Sequence, residues 1–195
     1  MMQIDDPLDA SKRRRGKEHK ADAVQQLRGA LGKLAYVERP QDAQEPILAP
    51  NVRAVLFAWL RELNLARELQ TVGLQPRSRA LLYGPPGTGK TTLAHHVSAR
   101  LGLPMVLLGA ETVTGMFHGE SEKNLAKIFN TLAEIDVPAV VFIDEIDALG
   151  GSRDKYTGGG GADNARRNTL TVMLRLIERH KGLVFEIGRA SCRER

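Results

Sequence analysis

At 195 residues, with 42% hydrophobic and 26% charged residues, the chain is long enough to bury one domain core and too apolar to be a disordered tail. No run nears the roughly 18 apolar residues a membrane span needs, and the opening MMQIDDPLDA lacks the apolar stretch of a signal peptide, so a cytoplasmic protein without a membrane partner is expected. The net charge of +5 belongs to the ends: residues 1–39 hold nine Lys/Arg against six Asp/Glu, residues 186–195 three against two, and residues 40–185 sixteen against fifteen, which leaves the body without a basic stripe for nucleic acid.

Residues 1–17, with a basic knot at Lys12, Arg13, Arg14, Arg15 and Lys17, are expected to be a disordered tail. From Glu18 to Arg39, Leu27, Leu31, Leu34 and Ala35 fall at i, i+4, i+7 and i+8, which predicts one face of a helix. The three prolines of RPQDAQEPILAP (39–50) predict a linker, so residues 18–49 read as an N-terminal helix and linker. A second helix is predicted from Asn51, as N-cap, through Leu69, with Val55, Leu56, Trp59, Leu63 and Ala66 on its buried side.

After Gly73 the texture changes. Residues 80–83, 105–108, 139–143 and 183–185 read as strands, and 90–101, 121–135 and 163–180 as helices. Strands alternating with helices predict an α/β fold, a parallel sheet with helices on both faces.

The strand ALLY runs directly into GPPGTGKTT (84–92) and then a predicted helix. Gly84, Gly87 and Gly89 let backbone N–H groups converge on phosphate oxygens, and the helix N-terminus adds its positive dipole end. The whole run, Gly84, Pro85, Pro86, Gly87, Thr88, Gly89, Lys90, Thr91 and Thr92, is the candidate nucleotide-binding loop. Lys90 would reach the β- and γ-phosphates and the Thr91 hydroxyl would hold Mg²⁺, so ATP and Mg²⁺ are the expected ligands. About fifty residues later, AVVFIDEIDALG is an apolar strand ending in two acids, which must emerge at the strand's C-terminal edge. There Asp144 suits a Mg²⁺ contact, and Glu145 could polarise the water that attacks the γ-phosphate. His95 and His96, on the helix after the loop, show no metal-ligand spacing, and packing or exposure is expected of them.

GPPGTGKT followed by VVFIDEIDAL resembles the AAA branch of the AAA+ ATPases, and GLQPRSRALLYGPPGTGKT is similar to that family's lead-in to its first strand. GMFHGESEKNLAKIF (115–129) resembles the family's first pore-loop segment. The likeness spans about residues 50–185. It departs upstream, where ILAPNVRAVLFAWLREL replaces the family's usual glycine-rich signature. The resemblance implies a P-loop NTPase three-layer sandwich, self-association into a ring, a hexamer, and a polypeptide substrate gripped by the pore loop Phe117, His118 and Gly119. A core or interface place for Phe117 is the plainer reading. It also puts SRDKYTGGGGADNARR (152–167) at a second pore loop and Arg166 and Arg167 near a subunit interface, against the plainer reading of a solvated helix face.

In the family the strand after GLVF ends in a polar sensor residue, followed by an arginine finger, a fifth strand and a helical lid. Here EIGRASCRER (186–195), holding the one cysteine, Cys192, shows none of these. Its back-translation GAG-ATC-GGA-AGA-GCG-TCG-TGT-AGG-GAA-AGA reads, from the second base, as a short-read sequencing adapter. Residues 186–195 are therefore expected to be a non-native tail on a truncated core of residues 50–185, with little turnover by the chain itself. Two alternatives stand beside a ring-forming remodelling ATPase. One is a nucleic-acid-linked relative such as a helicase loader or transposition ATPase; the other is a nucleotide-binding fragment without turnover.

Overall fold

The structure, a computed structural model, describes residues 22–40, 46–109, 120–135, 137–144, 161–180 and 182–189. In chain order the elements are α1 (22–31), β1 (Tyr36–Glu38), α2 (Pro50–Asn64), α3 (Ala66–Thr71), β2 (Arg79–Gly84), α4 (Lys90–Leu101), β3 (Met105–Leu108), α5 (Glu120–Ile135), β4 (Val140–Ile143), α6 (Gly161–Arg179) and β5 (Leu183–Arg189). The five strands form one sheet in the order β1-β3-β4-β5-β2. β2 to β5 run parallel, and only β1 is antiparallel to its neighbour.

The strands are apolar on both sides because both faces are covered. Along β4, Val141 and Ile143 face a cluster that includes Leu27 and Leu31 of α1, Leu125 and Ile128 of α5 and Met173 of α6. Val140 and Phe142 face the opposite cluster, with Leu56, Trp59 and Leu60 of α2 and Leu93, Ala94 and Val97 of α4. The period-two alternation of side chains thus divides one strand between two cores and makes a three-layer α/β/α sandwich. β2 departs from this: Ala80 and Leu82 pack against the second cluster, while Leu81 and Tyr83 on its other side are 60% and 76% exposed.

Several sequence expectations require correction. The helix predicted across 18–39 ends at residue 31, where Gly32 turns the backbone at φ +56° and donates its N–H to the Arg28 carbonyl. Tyr36–Glu38 then forms β1, pairing Val37 with Val106 of β3, and Arg28 Nε donates to Val37 O at 2.9 Å. Leu34 and Ala35 therefore pack from the connecting turn, not from a helix face. α2 starts two residues earlier than predicted: its N-cap is Ala49, not Asn51, without a side-chain bond, and Pro50 supplies the preset φ of a first helical residue. The predicted single helix to Leu69 breaks at Leu65, leaving α3 as a short separate helix. Val55, predicted buried, is 65% exposed, and Leu60 takes its place beside Leu56 and Trp59. Finally, β5 continues to Arg189, beyond the predicted end at 185, because the ladder with β2 pairs Leu81 with Glu186 and Gly84 with Arg189.

Candidate functional site

The end of β2 is held from outside the sheet. Trp59 Nε1 donates to the Arg77 carbonyl at 2.7 Å, and the Trp59 ring meets Phe185 edge to face at 5.2 Å. Glu62 accepts from the Arg77 backbone N–H at 2.6 Å and from its guanidinium at 2.8 and 2.7 Å. This pair holds the Glu62 carboxyl below its ordinary range, chiefly through the Arg77 hydrogen bonds. α2 and the residue two before β2 are thereby fixed to each other, so the strand enters its loop from a set position. The sequence reading did not single out Glu62, Trp59 or Arg77 for this role, which depends on contacts 15 and 18 residues apart.

β2 delivers Gly84, and the chain turns through Pro85, Pro86, Gly87, Thr88 and Gly89, all exposed, before α4 begins at Lys90. Gly84, Gly87 and Gly89 adopt φ of +153°, +77° and +83°, in the region that L side chains rarely enter. A Cβ at Gly84 would stand 3.4 Å from Thr88 Oγ1. That hydroxyl donates to the Pro85 carbonyl at 2.9 Å and closes the turn, a role whose trace in the sequence is the i, i+3 spacing of Pro85 and Thr88. Lys90 Nζ folds back over the loop and donates to the carbonyls of Gly84 at 2.8 Å and Pro85 at 2.9 Å. Among the described residues it pairs with no carboxylate. Positive charge therefore sits over the loop, where the N-terminus of α4 adds its own. Thr91 and Thr92 lie exposed in the first turn of α4.

Asp144 follows β4 directly; it is half-buried, and its N–H donates to Leu108 O at 3.2 Å. Because β2, β4 and β5 are parallel, Gly84 and Asp144 emerge at the same C-terminal edge. β5 stands between their strands, so about two strand spacings, roughly 9–10 Å, separate the backbones. Glu145 and the pore-loop candidates Phe117, His118 and Gly119 lie outside the described residues. Of 152–167, only 161–167 is described, and it forms the start of α6, which carries Arg166 and an exposed Arg167. His95 and His96 diverge: His95 Nδ1 is 3.5 Å from Glu38 of β1, whereas His96 is 3% exposed and neither ring nitrogen has a hydrogen-bond partner among the described residues.

A glycine loop with left-handed turns, a lysine at its end, a helix N-terminus behind it and a carboxylate two strand spacings away define a nucleotide-site scaffold of the P-loop class. Residues 80–191 match the family model described as "ATPase family associated with various cellular activities (AAA)", and the chain belongs to that family. Similar curated proteins include a cell division cycle protein 48 homolog of Archaeoglobus fulgidus, 37% identical over 129 residues, and the 26S proteasome subunit RPT4 of Saccharomyces cerevisiae, 39% identical over 127. The peroxisomal ATPase pex6 of Schizosaccharomyces pombe is 38% identical over 122 residues. These matches cover 60%, 61% and 62% of this chain but only 17%, 28% and 13% of the respective relatives, so the chain spans less than a third of their length.

Proposed function

We propose that the chain binds MgATP in the 84–92 loop, and that the whole protein hydrolyses it within a ring of subunits, a hexamer, to remodel polypeptides. The observation that carries the nucleotide reading is the loop itself. Its glycine turns open backbone toward a ligand, while Lys90, tied to its carbonyls, holds a cation where phosphates would lie. Kinship with a proteasome subunit and a peroxisomal ATPase supports the remodelling part.

In this reading Lys90 exchanges its carbonyl partners for β- and γ-phosphate oxygens, and Gly87 to Thr92 present backbone donors to the remainder. Thr91 and Asp144 are hard oxygen donors that fit Mg²⁺, which when bound would neutralise charge on the phosphates. Glu145 accepts a proton from the attacking water as its oxygen bonds to the γ-phosphorus and the bond to the bridging oxygen breaks, releasing ADP and phosphate. Phe117, with His118 and Gly119 beside it, grips the polypeptide.

Nucleotide binding and steady-state hydrolysis by the wild type, Lys90→Ala and Glu145→Gln test this. Lys90→Ala is expected to lower ATP affinity on the order of ten- to a hundredfold, the worth of charge-assisted hydrogen bonds. Glu145→Gln should keep binding and lose turnover on the order of 10²–10⁴-fold. Binding without any Glu145-dependent turnover would reduce the reading to a nucleotide-binding fragment, and affinity unchanged in Lys90→Ala would remove the loop assignment.

A further inference from the structure

Arg53, Phe57, Arg61 and Asn64 recur along α2 at i, i+4, i+8 and i+11 and so share one stripe of the helix. The sheet-facing stripe is a different one, built on Leu56, Trp59 and Leu60. The outer stripe borders a groove of about 420 Å³ at the C-terminal ends of α2 and α4, lined by Phe57, Leu60, Arg61, Leu65, Arg100 and Leu101. The guanidiniums of Arg53 and Arg100, from two different helices, lie over the Phe57 ring at 5.4 and 5.5 Å from its centroid. Cation–π attraction thus gathers positive charge and aromatic surface at one point.

Among the described residues no acidic side chain lines the groove, and neither Arg61 nor Arg100 has a carboxylate within ion-pair distance. Their positions in the last turns of α2 and α4 suit the helix dipoles, which explains a cation at each end. The dipoles do not explain why both cations border a single apolar floor, at whose margin Leu65 is 41% exposed. A rim formed by Arg61 and Arg100, without carboxylate partners among the described residues, around an aliphatic and aromatic floor is the complement of an apolar side chain flanked by acids.

We propose that this groove docks a segment of a protein partner in which a Leu- or Phe-like side chain is flanked by carboxylates. The apolar side chain rests on Leu60, Leu65 and Leu101, and the carboxylates meet Arg61 and Arg100. A nucleic-acid strand fits less well, because the charges ring one pocket and do not form the track a phosphate backbone follows. The groove lies at the C-terminal end of α4, about 18 Å along the helix axis from the loop at its N-terminal end, so the proposal stands independently of the nucleotide reading.

The test is fluorescence polarisation of the full chain with a labelled octapeptide EDELFDED, its isostere QNQLFNQN, a basic counterpart KRKLFKRK and a labelled dodecamer of thymidylate. The wild type should bind the acidic peptide at least about tenfold more tightly than the isostere, with affinity falling as salt is raised. The double variant Arg61→Glu/Arg100→Glu should lose that preference and favour the basic peptide, with nucleotide binding and thermal unfolding confirming that it folds. Equal affinity for acidic and isosteric peptides, no binding of the acidic peptide, or a preference unchanged in the double variant overturns the proposal. Tighter binding of the thymidylate dodecamer than of the acidic peptide, lost in the same variant, overturns it in favour of a nucleic-acid surface.

Discussion

The two edges of the sheet are finished differently. On one side β1 closes β3 with a three-residue antiparallel strand, Val37 is buried at 5% exposure, and Arg28 of α1 fastens it by its guanidinium. On the other side β2, which leads into the candidate site, pairs among the described residues only with β5 and leaves Leu81 and Tyr83 open on one face. Capping an edge with a short strand is one way a sheet avoids unwanted pairing, and β2 has no such cover among the described residues. The contrast teaches that the segment before residue 40 does structural work, although it precedes the family-matched region at 80–191.

If that is so, deleting buried bulk beneath the closed edge should cost most. Leu27 is fully buried in the core that β1 completes, and Leu27→Ala is expected to destabilise by about 2–5 kcal/mol, read from denaturant unfolding. A loss below about 0.5 kcal/mol would mean that α1 is not integral to the domain.

A smaller effect should come from the open side, where His180 lies near Arg79 of β2. Burial, then the Arg79 charge, holds the His180 imidazole below its ordinary value. Its folded form therefore takes up a proton at lower pH than the unfolded chain does. The associated stability is complete above the unfolded value near 6.5 and is lost as pH falls through the folded one. Thermal unfolding at about pH 7 and pH 5 should show a loss on acidification that His180→Gln reduces; an identical loss in both proteins counts against this origin.

The smallest effect is expected at β2 itself. Tyr83→Ser removes a ring that is 76% exposed and should change stability by less than about 0.5 kcal/mol. Sedimentation velocity would show whether it also weakens self-association. A large destabilisation would mean that this face is covered in solution, and the contrast between the edges would fail.

What was legible in the sequence divides at about Gly73. Downstream, the four strands and three helices lie at the places apolar runs and helical periodicity marked, although β5 runs four residues past its predicted end, and GPPGTGKTT forms the strand–loop–helix its spacing demands. Upstream, the helical period through Leu34 and Ala35 masked a turn, because Gly32 ends the helix while the next residues keep facing the core. A strand as short as Tyr36–Glu38 has too few residues to show alternation, and its pairing with Met105–Leu107 is fixed only by tertiary contact. Within the site, residue types and order were readable. The insertion of β5 between β2 and β4 was not, since strand order depends on how distant segments pair. The arginine groove was hidden for the same reason: α2 shows its stripe in sequence, but Arg100 joins it only when α4 packs alongside.

If the loop takes the proposed nucleotide, the two carbonyls that engage Lys90 make its capture a displacement reaction. An arriving anion must outbid two neutral acceptors at 2.8 and 2.9 Å before it gains the ammonium. A polyphosphate chain does so readily, because ionised oxygens bind a cation more strongly than amide dipoles do. Chloride or a single weakly charged oxyanion gains much less from the same exchange. Under the proposed nucleotide reading, the folded-back lysine would act as a threshold on ligand charge, sorting polyphosphates from ambient salts before any part of a nucleobase is recognised.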